Sequence, residues 1–222
     1  YQNPSAYRDK STDWFDALLR QGKSSDYSLS IVSNKDKLSS TLVGGYFKQE
    51  GVLLNTDYSR ASLRSNNEYS VNEHIKIGTN ISATRQSFQS FNTDGNYQIL
   101  FSALVTPPIF SPFDKDENGN IHSSFTAPGI LTQPNWYRTL NEPIERTRTN
   151  GLLTNSYLDV RFLKDFRFKS TFGVDYANGL DYRFSPIFND NGAIAGSSAT
   201  LATITNNRNV STVLLFTEQL SF

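Results

Sequence analysis

The sequence predicts an all-β chain whose antiparallel strands cross a membrane, and three observations support this fold class. The first is the stretch 166–176, Phe-Arg-Phe-Lys-Ser-Thr-Phe-Gly-Val-Asp-Tyr, in which apolar and polar or small side chains alternate between the two faces of a strand. Because about 9–11 tilted strand residues cross a bilayer's hydrocarbon, this stretch is long enough to span it. The second observation is that the pattern recurs along the chain. The third is that short and long connections alternate between the strands.

Composition narrows the class of protein further. The chain has 222 residues with 21 basic and 21 acidic side chains, and this neutral balance gives no support to nucleic-acid binding. No window of about 18 consecutive apolar residues is present, so no transmembrane helix is predicted. The 37% hydrophobic content suits strands of which only alternate residues face lipid. The absence of cysteine excludes disulfides. The absence of methionine and of a signal peptide leads us to expect an internal piece of a longer chain, or a processed product.

The chain divides into a connector and a sheet-forming part. Residues 1–24 are predicted to form a connector with one short helix, which Ser11 or Thr12 caps and Gly22 ends. Residues 25–222 are predicted to form a partial barrel of about seven strands, with long loops at about residues 89–150 and 177–206. A short helix is expected in the longer loop, at residues 97–104. The expected strands begin near Tyr27, Lys37, Asp57, Ile75, Tyr157, Phe166 and Asn207.

The lengths of the connections favour an outer-membrane barrel over a soluble sandwich. Such barrels have short turns at one end and long extracellular loops at the other, whereas a loop of about 60 residues is unusual in a compact soluble domain. Seven strands do not close a wide barrel, and an open sheet in lipid would leave unpaired backbone groups at two edges. We therefore expect further strands or partners to complete the sheet. Glu218 fits least, because it shares parity with Leu214 and Phe216 and should face lipid unless it lies near an interface or a bulge shifts the register.

A set of short motifs occurs in order along nearly the whole chain, at residues 12–16, 46–52, 55–60, 63–66, 75–82, 107–108 and 168–176. Together they resemble the early barrel of the SusC/RagA TonB-linked outer-membrane proteins of Bacteroidetes. The resemblance implies a location in the bacterial outer membrane and a barrel of about 22 strands with an N-terminal plug in its lumen. It also implies energy supplied by the TonB complex through a TonB box, and a SusD-like surface lipoprotein that lids the barrel. The plug, the TonB box and most later strands would lie outside this chain.

One short segment has the oxygen spacing of a calcium loop. Asp114, Asp116 and Asn118 are spaced like the first ligands of an EF-hand, and Gly119 stands at the sixth position. Phe125, however, stands where an EF-hand needs a bidentate Glu. A polar turn is the favoured interpretation, because Asp, Asn and Gly favour turns by local hydrogen bonding and positive φ.

Other chemical sites have little support in the sequence. His74 and His122 are the only histidines, and without cysteine they do not suggest a zinc site. No recognised nucleophile motif is present, so we predict neither enzymatic activity nor a cofactor. Arg60 and Arg64 share one strand face. We expect them to line the lumen and pair with carboxylates of the plug or of neighbouring strands, in preference to contacting substrate directly.

Five aromatic residues in or beside the longest loop are candidates for contact with a substrate or a partner. They are Phe88, Phe91, Tyr97, Trp136 and Tyr137. Exposed aromatic rings stack on sugars and pack against apolar peptide side chains, and they could equally anchor the loop against its neighbours or against a lid protein. The sequence leaves these three alternatives open.

The leading functional hypothesis is import of a glycan or oligopeptide across the outer membrane, with a SusD-like lipoprotein, the TonB complex and outer-membrane lipid as partners. A soluble β-rich binding module that uses the same aromatic residues is one alternative. A surface adhesin built on a barrel, which transports nothing, is another.

Overall fold

A single sheet of seven antiparallel strands dominates the chain. The computed structural model describes residues 11–91, 99–115, 119–122, 124–127, 130–163, 165–187 and 201–222. The strands of the large sheet are β1 (Ser24–Lys35), β2 (Leu38–Glu50), β3 (Asp57–Ser70), β4 (Ile75–Gln89), β7 (Ile144–Phe162), β8 (Phe166–Ser185) and β9 (Thr203–Ser221). A small hairpin, β5 (Ser124–Ala127) and β6 (Ile130–Pro134), and three helices, α1 (Trp14–Leu18), α2 (Ile99–Val105) and α3 (Trp136–Asn141), complete the described elements.

The large sheet is a meander, with strand order β1-β2-β3-β4-β7-β8-β9. Its short turns all lie at one end. They include the β1–β2 turn, where Asp36 adopts φ +50°, and the β3–β4 turn, where Asn72 Oδ1 accepts hydrogen bonds from the backbone N–H groups of His74 and Ile75. The longer connections, residues 51–56, 90–143 and 186–202, leave and rejoin the sheet at the other end. The predicted all-β class with seven antiparallel strands is confirmed.

The strand register gives the sheet two chemically different faces. Directly paired residues point to the same side, so a row of partners such as Ile75, Val160 and Phe168 shares one face. We call this side the apolar face. The next row, Lys76, Asp159 and Lys169, belongs to the opposite side, which we call the polar face.

The apolar face has little protein cover in the described part of the chain. Many large side chains on it are exposed, among them Leu42, Ile81, Leu158, Phe172 and Phe216. The buried hydrophobic residues of the described ranges, by contrast, all lie outside the seven-stranded sheet. This distribution is the reverse of a soluble sheet and suits strands whose apolar side chains contact lipid.

Several boundaries differ from those predicted. β7 begins at Ile144 and β8 ends at Ser185, so the two long connections span residues 90–143 and 186–202 instead of about 89–150 and 177–206. The ends of β7 and β8 that extend beyond the predicted strands carry polar pairs, such as Glu145 Oε1 with Arg183 Nε at 3.0 Å. Hydrophobic alternation does not reveal such pairs.

The short helices also differ in detail from the prediction. The N-cap of α1 is Asp13 and not Ser11 or Thr12, because its carboxylate accepts hydrogen bonds from the N–H groups of Phe15 and Asp16. α1 ends at Leu18, well before Gly22, and α2 covers residues close to the predicted 97–104. None of the helices in the described ranges has the length and hydropathy needed to cross a membrane.

Glu218 lies on the apolar face, as its parity predicts. It pairs with Ser170 near the short-turn end, and the β8–β9 register runs from Arg167 to Ser185 without a shift. A bulge therefore does not reorient it, and it lies near the end of its strand, where a position at an interface of the membrane stays a prediction.

We predict that Phe172 contacts lipid and that Thr171, its neighbour on the polar face, does not. Phe172→Arg should destabilise the folded protein by about 2–4 kcal/mol if the residue lies near the bilayer midplane, whereas Thr171→Arg should cost far less. The measurement is the folded fraction of each variant in a urea titration in lipid vesicles. Equal losses from the two substitutions would show that the faces are assigned wrongly.

Candidate functional site

The chain buries its hydrophobic residues in a small cluster at the long-loop end of the sheet. We call this cluster the loop core, and its members are Trp14, Leu18, Leu53, Ile99, Ala103, Phe110, Phe125, Trp136 and Leu140. Its aromatic rings are in direct contact, with the Phe125 ring centroid 5.1 Å from Phe110 and 5.8 Å from Trp14. The loop core joins α1, all of which precedes the sheet, to the connection between β4 and β7.

Hydrogen bonds attach α1 to the β2–β3 connection. The Arg20 guanidinium donates from Nε to the Gly51 carbonyl at 3.0 Å and from Nη2 to the Thr56 carbonyl at 2.8 Å. The Leu54 N–H donates to the Leu18 carbonyl at 3.0 Å. The loop core is therefore fixed to the rim of the sheet by backbone carbonyls as well as by apolar contact.

Asn135 organises the segment that holds Trp136. Its side chain is fully buried and caps α3, and its Nδ2 donates to the carbonyls of Pro112 and His122, both at 2.9 Å. A buried amide with its donors satisfied fixes the surrounding backbone. The Asn55 amide adds a further tie, donating to the Leu140 carbonyl at the end of α3 at 2.9 Å.

The structure gives the predicted loop aromatics different environments. Trp136 is 5% exposed and belongs to the loop core, while Phe91 packs partly buried against it. Tyr137 is half-buried at the edge of the loop core, and its ring makes an edge-to-face contact of 4.9 Å with Phe113. Tyr97 lies outside the described residues.

Phe113 is a contact candidate that sequence reasoning missed. Its side chain is 59% exposed beside Tyr137. The sequence signal that could have identified it is an aromatic residue placed between a proline and acidic turn residues, in a segment where polar side chains are expected. Together Phe113 and Tyr137 form an accessible aromatic edge on the loop.

A second aromatic group lies on the polar face, close to the long-loop end. Phe88 is directly opposite Tyr58, and the Tyr58 ring centroid lies 5.9 Å from that of Phe47. Arg60 is directly opposite Phe47 and is exposed. Sequence reasoning found Phe88 and Arg60 but missed Phe47 and Tyr58, because only the strand register brings the four together.

Arg60 and Arg64 lie on the same polar face, as their parity predicts. The residues directly opposite them are Phe47, Gln86, Val43 and Ser82, none of which is charged. None of the ion pairs within the described ranges includes either arginine. Pairing with the plug, or contact with substrate, stays a prediction for both.

The candidate calcium loop forms a hairpin in the part that the structure describes. The Asp114 carbonyl accepts a hydrogen bond from the His122 N–H at 2.9 Å, Lys115 bridges to Ile121, and Gly119 adopts φ +84°. Asp116 and Asn118 lie outside the described residues. Within the described ranges, no group of three or more His, Cys, Asp or Glu residues could hold a metal ion.

A network of charged and aromatic side chains covers the short-turn half of the polar face. The Tyr157 ring lies over Gly78, and its hydroxyl donates to Glu68 Oε2 at 2.6 Å, two strands away. Glu68 Oε1 also pairs with Lys76 Nζ at 2.8 Å, and Lys169 Nζ lies 4.6 Å from the Tyr157 ring centroid. The Arg167 guanidinium pairs with the buried Asp159 carboxylate beside them.

Known proteins with similar sequences are TonB-dependent receptors. The chain is 26% identical over 195 residues to TonB-dependent receptor P3 of Formosa agariphila, covering 85% of this chain and 19% of that protein. It is 26% identical over 183 residues to TonB-dependent receptor P26 of the same organism, covering 82% and 18% respectively. The predicted resemblance to TonB-linked outer-membrane proteins is confirmed. No model of a protein family matches it.

Solved structures show the same fold. The RagAB peptide transporter superposes with a TM-score of 0.68 at 21% identity, covering 95% of this chain and 23% of that chain. The RagAB peptide importer in its closed-closed state gives 0.67 at 20% identity, with the same coverage. The chain thus spans about a fifth of the length of the curated receptors that it matches. The predicted outer-membrane location is confirmed. The similar proteins are receptors and a peptide transporter, which agrees with the prediction that this protein is not an enzyme.

We predict that Gly78 cannot carry a side chain while Tyr157 keeps its place. A Cβ at Gly78 would overlap the Tyr157 ring, so Gly78→Ala should displace it from Glu68 and cost roughly 1–3 kcal/mol of stability. The matched control is Gly44→Ala, because no atom lies within 4 Å of a Cβ built at Gly44. Unfolding of the full-length protein in detergent provides the measurement.

A second substitution identifies the cause of that loss. In a Tyr157→Ala background the overlap is gone, so Gly78→Ala should then cost little. An undiminished cost in that background would mean that Gly78 is required for a reason other than the tyrosine ring.

Proposed function

We propose that this chain is part of the wall of an outer-membrane transporter that imports glycans or oligopeptides together with a SusD-like surface lipoprotein. The observation that carries the proposal is the contrast between the two faces of one continuous sheet. One face exposes aliphatic and aromatic side chains along most of its strands. The other carries paired charges, hydroxyls and an aromatic group near the long-loop end. Such a sheet suits the boundary between lipid and a water-filled lumen.

The open edges of the sheet support a larger assembly. Every residue of β1 and β9 is exposed, and each strand has a neighbour on one side only within the described sheet. An unpaired edge in lipid costs several kcal/mol for each unsatisfied backbone group. We propose that further strands of a plugged barrel pair with both edges.

The polar face near the long-loop end suits capture of substrate. Phe47, Tyr58 and Phe88 offer ring faces for sugars or apolar peptide side chains, and Arg60 beside them offers a planar donor group for carboxylates. Arg64 continues the same face toward the other end. Peptide import is the activity named for the RagAB structures. For this chain both glycan and oligopeptide stay candidate substrates.

The loop core supports docking of a lid protein at the long-loop end. Trp136 is buried and shapes the loop, whereas Tyr137 and Phe113 present an edge that a partner could cover. Aromatic side chains that become buried in this way dominate interface energetics. We propose that the loop of residues 90–143 contributes to the surface that contacts the lipoprotein.

Uptake separates import from the alternatives. Cells that express the full-length protein should accumulate labelled oligosaccharides or oligopeptides, and cells that lack the gene should not. Arg60→Ala with Phe88→Ala should lower uptake by roughly tenfold, because a stacking ring and a charged donor are lost together. Surface binding without uptake would favour the adhesin. A full-length protein that stays monodisperse in buffer without detergent would favour the soluble binding module.

Co-purification tests the partner. Tyr137→Ala should weaken binding of the lipoprotein by roughly thirtyfold, which is the usual cost of truncating an aromatic anchor, and Trp136→Ala should weaken it by disrupting the loop core. Leu163→Ala is the control, because this exposed residue lies at the short-turn end. If both loop variants and a loop deletion retain the lipoprotein while the barrel stays folded, the loop is not part of that interface.

A further inference from the structure

Four strands carry a cation on the apolar face at the same level of the sheet. The cations are Lys48 on β2, Arg85 on β4, Arg148 on β7 and Arg208 on β9, and all four are exposed. Register places Lys48, Arg148 and Arg208 in one row and Arg85 in the adjacent row toward the short turns.

The distance of these cations from the short-turn end of the sheet suits the height of a lipid-facing band. Each cation lies ten positions along its strand from a residue near the short-turn end. The reference residues for cations 48, 85, 148 and 208 are residues 38, 75, 158 and 218, respectively. Ten residues extend about 33 Å, and a strand tilt of about 40° reduces the height to about 25 Å. That height matches the apolar band of an outer-membrane barrel. Between the two levels the face carries residues such as Leu42, Ile81 and Val174.

None of these four cations is in an ion pair within the described ranges, as is also true of Arg60 and Arg64 on the polar face. The sheet cations in ion pairs within the described ranges are Lys76, Arg146, Arg167 and Arg183. None of those pairs includes Lys48, Arg85, Arg148 or Arg208. The acids at this end of the apolar face are Glu50 and Asp57, and Asp57 is already bound by Arg146 at 2.9 Å. A net positive patch therefore remains where the lipid-facing band ends.

A shallow pocket adjoins the patch. It has a volume of about 330 Å³ and is lined by Ile144, Arg146, Arg148, Leu180 and Tyr182. Arg146 is held in its wall by Asp57, Gln89 and Ser87, so its guanidinium is fixed. Leu180 stands between Arg148 and Arg208 in their row, which places the two arginines about 10 Å apart at the backbone. Apolar walls beside unpaired guanidinium groups suit a ligand that is both greasy and anionic.

We propose that Arg85, Arg148 and Arg208 bind the phosphate groups of an anionic lipid in the outer leaflet of the membrane. Long loops mark the extracellular end of such sheets, so the patch lies at the headgroup level of that leaflet. Guanidinium groups bind phosphate through paired hydrogen bonds, and the apolar rows below the patch accommodate the acyl chains. A soluble phosphate ion would make no contact with the apolar rows below the patch. The proposal concerns lipid and is independent of which nutrient the protein imports.

Lipid binding to the purified full-length protein tests the proposal. The probe is lipid A in neutral detergent, compared with the same lipid after removal of its phosphates, and bound lipid is counted by native mass spectrometry. The unmodified protein should bind the phosphorylated form at least about tenfold more tightly, and an Arg85→Ala, Arg148→Ala, Arg208→Ala variant should lose that preference. Lys35→Ala should keep it, since Lys35 lies on the same face at the short-turn end.

Three outcomes would overturn the proposal. They are an unchanged preference in the triple variant, an equal loss in the Lys35→Ala control, and displacement of the lipid by millimolar inorganic phosphate. The last outcome would identify the ligand as a soluble anion. If the triple variant does not fold, Arg148→Gln and Arg208→Gln singly should each weaken binding of the phosphorylated lipid by about threefold, and unchanged binding in both would also overturn it.

Discussion

The rest of the structure depends on the pairing of backbone N–H and C=O groups between neighbouring strands. A lipid environment offers these groups no water, so each strand must be matched along its whole length by the next. The β7–β8 pair meets this demand from Ile144 with Phe184 to Phe162 with Phe166 without a change of register. Because an unbroken register keeps alternate side chains on one face, the same pairing that satisfies the backbone also separates the apolar face from the polar face.

This constraint explains why the protein keeps its hydrophobic core outside its main sheet. The sheet is one layer thick, and its apolar side chains point to the lipid side, so they do not need to cover one another. The loop core lies outside the sheet and buries Leu18, Trp136 and Leu140 in the manner of a soluble domain. The polar face differs from both, because its charged side chains need ion-pair or hydrogen-bond partners. Glu68 meets this need by accepting from both Tyr157 and Lys76.

Much of the fold could be predicted from the sequence, because the alternation that specifies a strand is local. The shared face of Ile75 and Phe168, and the place of Glu218 near a strand end, follow from parity alone. The polar ends of β7 and β8 could not be predicted, since Thr147 and Asp181 signal a strand only once they are seen to hydrogen-bond across it. The burial of Trp136 could not be predicted from the sequence either, because it depends on contacts with Asn135 and with α1, which is distant in the chain. Gly78 gave no local sign that a tyrosine ring from the next strand would lie over it.

The loop core has a consequence for the order of assembly. Five of the six strand pairings in the described sheet join strands that are consecutive in the chain. The Trp14 indole, by contrast, donates at 3.3 Å to the Pro107 carbonyl, across 93 residues. Contacts between distant parts of a chain form late, because the intervening segment must first be ordered. We therefore expect the first four strands to pair before α1 finds its partners. Once in place, α1 bridges the β2–β3 connection and the β4–β7 connection, and so crosslinks the loops that leave the rim from β2 and β4.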